Sequence, residues 1–143
     1  MFDISADALI DIAPIHLKNS AGDYAYAGPN LPVRINLYGP GSEQFAMVEA
    51  RQAQRAVKRM QDNDNKVTLP PPEERTREQA EDLADLTDSF ENFDYPAPGK
   101  SGRDLFMAFY ADKKMVHYHR QVLKAINDAG NWRPGAAGTA KNG

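Results

Sequence analysis

The sequence has no cysteine. That excludes disulfides, thiolate zinc sites and cysteine nucleophiles together, and it fits a reducing cytoplasm. There is no excess of basic charge: 17 Lys and Arg stand against 20 Asp and Glu, a formal net charge of −3. Whole-protein nucleic-acid binding usually needs a basic face and a high pI, so the charge balance gives it no support. No apolar run approaches the ~20 residues of a membrane span. The first residues carry no basic cluster, and "ALIDIAP" is broken by Asp11 and Pro14, so no signal peptide is expected. Hydrophobic content is low, at 41%, and ten Gly and ten Pro interrupt the chain. For 143 residues, these bounds predict one domain with a modest core, substantial loops and a loose tail.

What is present is patterned. Residues 1–12 hold a small apolar cluster, Ala8-Leu9-Ile10 and Ile12, free to pack on the domain or to dock a partner. "IHLKNSAGDYAYA" reads as a hairpin, 15–18 and 23–27 around a turn at 19–22. In "PVRINLY", Val33, Ile35 and Leu37 share one side of a strand. Pro29 and Pro32 bound it and argue for an edge position at its start. From Ser42 to about Gln61 the period changes to 3.6. Phe45, Val48, Ala53, Ala56 and Met60 form one weak stripe, with Arg51, Arg55, Lys58 and Arg59 on the other side.

Residues 62–74, containing Pro70-Pro71-Pro72, read as a flexible linker. Thr76-x-x-Gln79 has capping-box spacing, and the helix after it carries Ala80, Leu83, Leu86, Thr87 and Phe90 on one face. A second Pro/Gly break, "FDYPAPGK", precedes a helix starting at Ser101, with Leu105, Phe106 and Phe109 inward. The last helix carries Val116, His119, Val122, Leu123 and Ile126, with Gly130 placed as a C-terminal cap and Trp132 just beyond. The fold class expected is α+β, mainly α-helical: a small N-terminal antiparallel sheet followed by about four helices. One domain should span 1–132, with a disordered tail at 133–143.

Chemistry is scarce in this pattern. "RINLYGPGSEQF" is strand, Gly-rich turn and helix start, which is how phosphate loops begin. A phosphate loop needs Lys and then Ser or Thr after its second Gly. Here Gly41 is followed by Ser42-Glu43, and Glu43 would repel an anion. Gly39, Pro40, Gly41 and Ser42 therefore read as a structural turn and helix cap, with positive φ expected at the glycines. His117-x-His119 lies near Asp112, but helical positions two apart point about 200° from each other, so the imidazoles cannot share one metal. No catalytic, cofactor or metal site is expected. The basic residues of the Ser42 helix could touch nucleic acid or acidic protein, though a solvated face is the plainer reading. Aromatics crowd the C-terminal half. Phe106 and Phe109, with Val122, Leu123 and Ile126, should hold its helices together, and Trp132 should close the end. Some of Phe90, Phe93, Tyr95, Phe106, Tyr110 and Trp132 are left as candidates to face a partner.

The order of these features resembles the tail assembly chaperones of long-tailed bacteriophages and prophages. The likeness runs over about 30–132. It lies in Tyr38-Gly39-Pro40-Gly41-Ser42, in the segment from Thr87 to Phe93 with Phe90 where the family commonly has Trp, in Arg103-Asp104-Leu105-Phe106, and in Asn127-Asp128-Ala129-Gly130-Asn131-Trp132. The resemblance implies a non-enzymatic protein of the host bacterial cytoplasm, absent from the mature virion. Such a protein coats the tape measure protein, tends to form homo-oligomers, recruits tail tube protein and uses no cofactor. In that family a longer, frameshifted form commonly recruits the tube subunits. Ala140-Lys141-Asn142 can be encoded by a slippery heptamer that would produce one. A virion connector component and a small nucleic-acid-binding regulator remain the alternatives.

Overall fold

In a computed structural model, described here for residues 1–66 and 68–135, three strands and four α-helices build an α+β domain. The strands are β1 (Ile12–His16), β2 (Arg34–Tyr38) and β3 (Thr87–Glu91), and the helices are α1 (Glu43–Asp62), α2 (Pro72–Asp85), α3 (Gly102–Ala111) and α4 (Val116–Ile126). The sheet is antiparallel with order β1-β2-β3. Ile15 faces Ile35, and Ile35 in turn faces Phe90. Alternation along β2 buries Ile35 and Leu37 completely.

Two strand expectations need correcting. β2 is central, and the edge strand containing a proline is β1: Pro14, opposite Asn36, sits where a missing N–H donor is tolerated. The expected hairpin is reduced to the isolated bridge Lys18 to Tyr24; Ile15 and His16 belong to β1, and Tyr26 bridges forward to Pro32 instead. The hairpin turn closes with the Gly22 N–H donating to the Asn19 carbonyl at 3.0 Å.

The helical reading of Leu86, Thr87 and Phe90 is also overturned. α2 ends at Asp85 and the chain enters β3. Thr, Asp and Ser at 87–89 compete with helical hydrogen bonds, while β2 offers a free edge. Pairing Leu37 with Thr87 and Ile35 with Phe90 satisfies that edge and brings Phe90 against the core. α2 begins earlier than the capping-box spacing suggests. Pro72 is its first residue, where proline's missing N–H and fixed φ are harmless, and Thr76 lies inside with its hydroxyl donating to the Pro72 carbonyl at 3.0 Å. The segment between α1 and α2 is correspondingly shorter than 62–74.

The turn after β2 behaves as a corner. Ser42 caps α1: its Oγ accepts from the Phe45 N–H at 3.2 Å and donates to the Gly39 carbonyl at 2.7 Å. Ser42→Ala should cost about 1 kcal/mol, read as a shifted urea midpoint with an unchanged slope. Neither Gly39 nor Gly41 has positive φ, contrary to expectation. Gly39 is needed for space instead. A Cβ there would lie 2.4 Å from Cγ and Cδ1 of Trp132.

The core joins the sheet to α2, α3 and α4. Ala13, Leu17, Ile35, Leu37, Leu83, Phe109, Val122 and Trp132 are all buried in it. Gly130 does not cap α4. The cap is Asn127, and Gly130 lies in a 3-10 turn, Ala129–Trp132, that carries the indole back onto β2. Val116 is exposed, whereas His119, Val122 and Ala125 are buried. From residue 136 onward the expected disordered tail lies outside the described residues, as does Ala140-Lys141-Asn142.

Candidate functional site

The aromatic residues proposed from sequence divide by burial. Trp132 is fully buried, with its Nε1–H donating to the Leu37 carbonyl at 3.0 Å. Tyr110 is buried too, its hydroxyl 2.7 Å from the Thr87 Oγ1, and burial raises its phenol pKa. Neither can meet a partner in this fold, because each fills the core and uses its polar atom there. Phe90, Phe93, Tyr95 and Phe106 are half-buried. Phe90 stacks on Phe93 with centroids 4.5 Å apart, tilts on Phe106 at 4.7 Å and meets Phe109 edge-on at 5.2 Å. The Tyr95 hydroxyl donates to Asp112 at 2.8 Å, and that bond, with the Lys114 N–H, holds the Asp112 carboxyl below its ordinary pKa. These four form a wall continuous with the core, with only part of each ring accessible.

His117 and His119 diverge as the helical geometry requires. His117 lies on Tyr118. His119 is buried, 2.8 Å through Nε2 from the Phe109 carbonyl. Burial lowers its pKa against the opposing pull of the Phe109 carbonyl and the Asp112 carboxylate, and because a carbonyl can only accept, Nε2–H donates that bond. Among the described residues no group of three or more His, Asp or Glu side chains is placed to hold a metal.

The largest departure from the sequence reading is α1. Its arginines do not form a solvated face; they turn toward α2 and are paired there, each keeping only part of its surface exposed. Arg51 donates to Asp82 at 2.7 Å and to Asp85 at 2.7 Å. Arg55 bonds both oxygens of Asp82 at 2.9 Å and Glu81 at 2.8 Å. Arg59 pairs with Glu78. Arg103, from α3, donates to Asp85 at 2.7 Å. Burial works against ionised Asp85, but the bonds from Arg103 and Arg51 outweigh it and keep its pKa below the ordinary carboxylate value. Of the four basic residues singled out on α1, only Lys58 has no such partner on α2.

This ladder turns α1 around. Arg51, Arg55 and Arg59 recur every four residues, so they share one face with Val48. Phe45 and Val48 still face inward, but Ala53, Ala56 and Met60 lie in solvent. Together with Ala46, Ala50 and Val57, Ala53 and Met60 form an exposed apolar strip without a charged residue, opposite the arginines. Met47 and Val57 are each more than half exposed. From residue 46 to residue 60 the helix rises about 21 Å, so the strip is long and narrow. The sequence signal for this arrangement was available: acids at Glu74, Glu78, Glu81, Asp82 and Asp85 on α2 match arginines at four-residue spacing on α1.

Asp82→Ala removes the acceptor shared by Arg51, Gln52 and Arg55. The loss should be about 1–3 kcal/mol, since Asp82 is buried while its partners keep part of their surface in water. It should be local. Amide exchange at 51–60 should speed roughly tenfold or more, while β2 keeps its protection, as followed by exchange mass spectrometry.

Beneath α1, an open-sided cleft of about 490 Å³ runs between α1, α2 and the end of α4. Phe45, Val48, Leu83, Leu86, Leu123 and Ile126 line it, with Glu49 on the α1 lip and Arg75 on the α2 lip. No protein-family model, curated protein or solved structure matches the chain. Among the described residues no helix is long and apolar enough to cross a membrane.

Proposed function

We propose that this protein is a non-enzymatic tail assembly chaperone of a long-tailed bacteriophage or prophage. In this reading it works in the host cytoplasm, binds the tape measure protein, keeps that protein's apolar helices soluble, and helps recruit tail tube subunits. The structural observation that carries the reading is the outward apolar strip of α1. A helix usually turns its apolar face into its own domain. Here the ion-pair ladder takes the inward side, and Ala46, Ala50, Ala53, Val57 and Met60 are presented to solvent. Small side chains at three- and four-residue spacing let a second helix approach closely, and a strip running about 21 Å along the helix suits a partner helix better than a compact ligand. The resemblance of 30–132 to the chaperone family supplies the identity of that helix.

Co-expression tests it. The candidate partner is the product of the very long reading frame expected beside the gene. Alone, that product should be insoluble; with this protein it should be recovered in a soluble complex. Val57→Glu combined with Ala50→Glu puts charge on the strip without touching the ladder. The variant should melt normally and lose the complex. If the wild-type protein leaves the long product insoluble, the chaperone reading fails. If the double variant rescues as well as wild type does, the strip is not the contact surface.

A further inference from the structure

Two features of the fold are unaccounted for by that reading. One is the cleft beneath α1. The other is the N-terminal arm. Asp3 caps a 3-10 turn at Ile4–Asp7 by accepting from the Ser5 N–H at 3.0 Å, so the arm has a defined shape. Yet Phe2 is 79% exposed and Ile4 78%. Two large apolar side chains so fully in water, on an ordered turn, is an arrangement that favours burial elsewhere.

We propose that the arm of one copy inserts into the cleft of a second copy, with Phe2 and Ile4 against Val48, Leu83, Leu86 and Ile126. Charge agrees with this occupant. Residues 1–9 contain Asp3 and Asp7 and no basic side chain. Arg75, on the α2 lip, makes no ion pair among the described residues, unlike the arginines of the ladder. Glu49 on the α1 lip repels the same edge, so the acids of the arm lie toward α2. Size agrees as well. A cleft of about 490 Å³ holds a few side chains, whereas a helix about 10 Å across needs a broader groove. The arm does not fill the cleft of its own copy. The arm is tied at its base, the Ile10 N–H donating to the Trp132 carbonyl at 2.8 Å, and leaves both side chains in solvent.

An arm-to-cleft contact joins two different surfaces. It is therefore heterologous, and unless the rotation happens to close a ring it propagates as an open chain of copies. The contact is independent of any tape measure partner, so its test needs only this protein.

Sedimentation velocity over a wide concentration range decides it. Wild type should grow progressively with concentration beyond a dimer. Phe2→Ser/Ile4→Ser should weaken association about tenfold or more, from the lost apolar burial, and Arg75→Glu should weaken it too. All of these positions are exposed, and circular dichroism should show the fold unchanged. The arm variant keeps an intact cleft and the Arg75→Glu variant keeps an intact arm. Mixed together they should form a one-to-one dimer and stop, because each complex retains only damaged ends. Wild type that stays monomeric at all concentrations overturns the proposal. So does an arm variant that associates like wild type, or a mixture that yields no dimer.

Discussion

Trp132→Ala should lower the unfolding free energy by about 3–5 kcal/mol, the largest loss expected from a single truncation in this domain. The indole is fully buried and its N–H bonds the Leu37 carbonyl. Removing it leaves a cavity against the central strand and strips that carbonyl of its side-chain donor. It also loosens the base of the N-terminal arm, because the Trp132 carbonyl accepts from the Ile10 N–H at 2.8 Å. A loss of that size consumes much of the stability of a small domain. The urea midpoint should fall sharply, or the variant should be recovered aggregated. Gly39→Ala provides the complementary measurement. Its Cβ would press on the indole at 2.4 Å, so overpacking should cost about 1–3 kcal/mol. With Trp132 already truncated, the added methyl enters vacated space. The double variant should then be more stable than the sum of the two single losses predicts. Strict additivity would mean that Gly39 is required for some reason other than the ring above it.

Phe109→Ala should be nearly as damaging, at about 3–5 kcal/mol. Phe109 is 2% exposed and is the hub of the aromatic cluster, in ring contact with Phe90, Phe93, Tyr95, Tyr110, Tyr118 and His119. Its carbonyl also holds His119. The truncation therefore unpacks three elements together: β3 with the loop after it, α3, and α4. Thermal melting followed by circular dichroism should show an early transition. A variant that melts like wild type yet fails to bind a partner would place Phe109 at an interface, against its burial here.

Much of this architecture was legible locally. Alternation at Val33, Ile35 and Leu37 marked β2, and Ser42 after Gly41 marked the start of α1, because a strand's period and a helix cap depend on neighbours a few residues away. The α3 and α4 cores were visible in Phe109 and Val122 for the same reason. Sheet neighbours are a different matter. Leu86-Thr87-Asp88-Ser89-Phe90 continues a helical spacing quite well, and only the open edge of β2, some fifty residues earlier, makes it a strand. The orientation of α1 failed similarly. Hydrophobicity alone places Ala53 and Met60 inward. The competing term was charge pairing with α2, which lies beyond a proline-bounded linker.

The candidate site shifted for the same cause. Composition predicted spare aromatics, and Phe90, Phe93, Tyr95 and Phe106 do keep some exposure, but packing consumed Tyr110 and Trp132. The apolar surface left over came from small residues on a helix that looked merely basic.

By itself the sequence determined what depends on short range: no thiol chemistry, no phosphate loop of the Walker pattern, the strand, the cap and the helix periods. Tertiary structure alone decided which face of α1 is turned inward, that β3 exists, that Gly39 is needed for space rather than for its φ, and that a cleft lies beneath α1. Each of these is a competition between a local preference of a few tenths of a kcal/mol per residue and a contact between segments far apart in the chain. Such a contact becomes available only when the domain closes, and where it is stronger it overrides the local pattern.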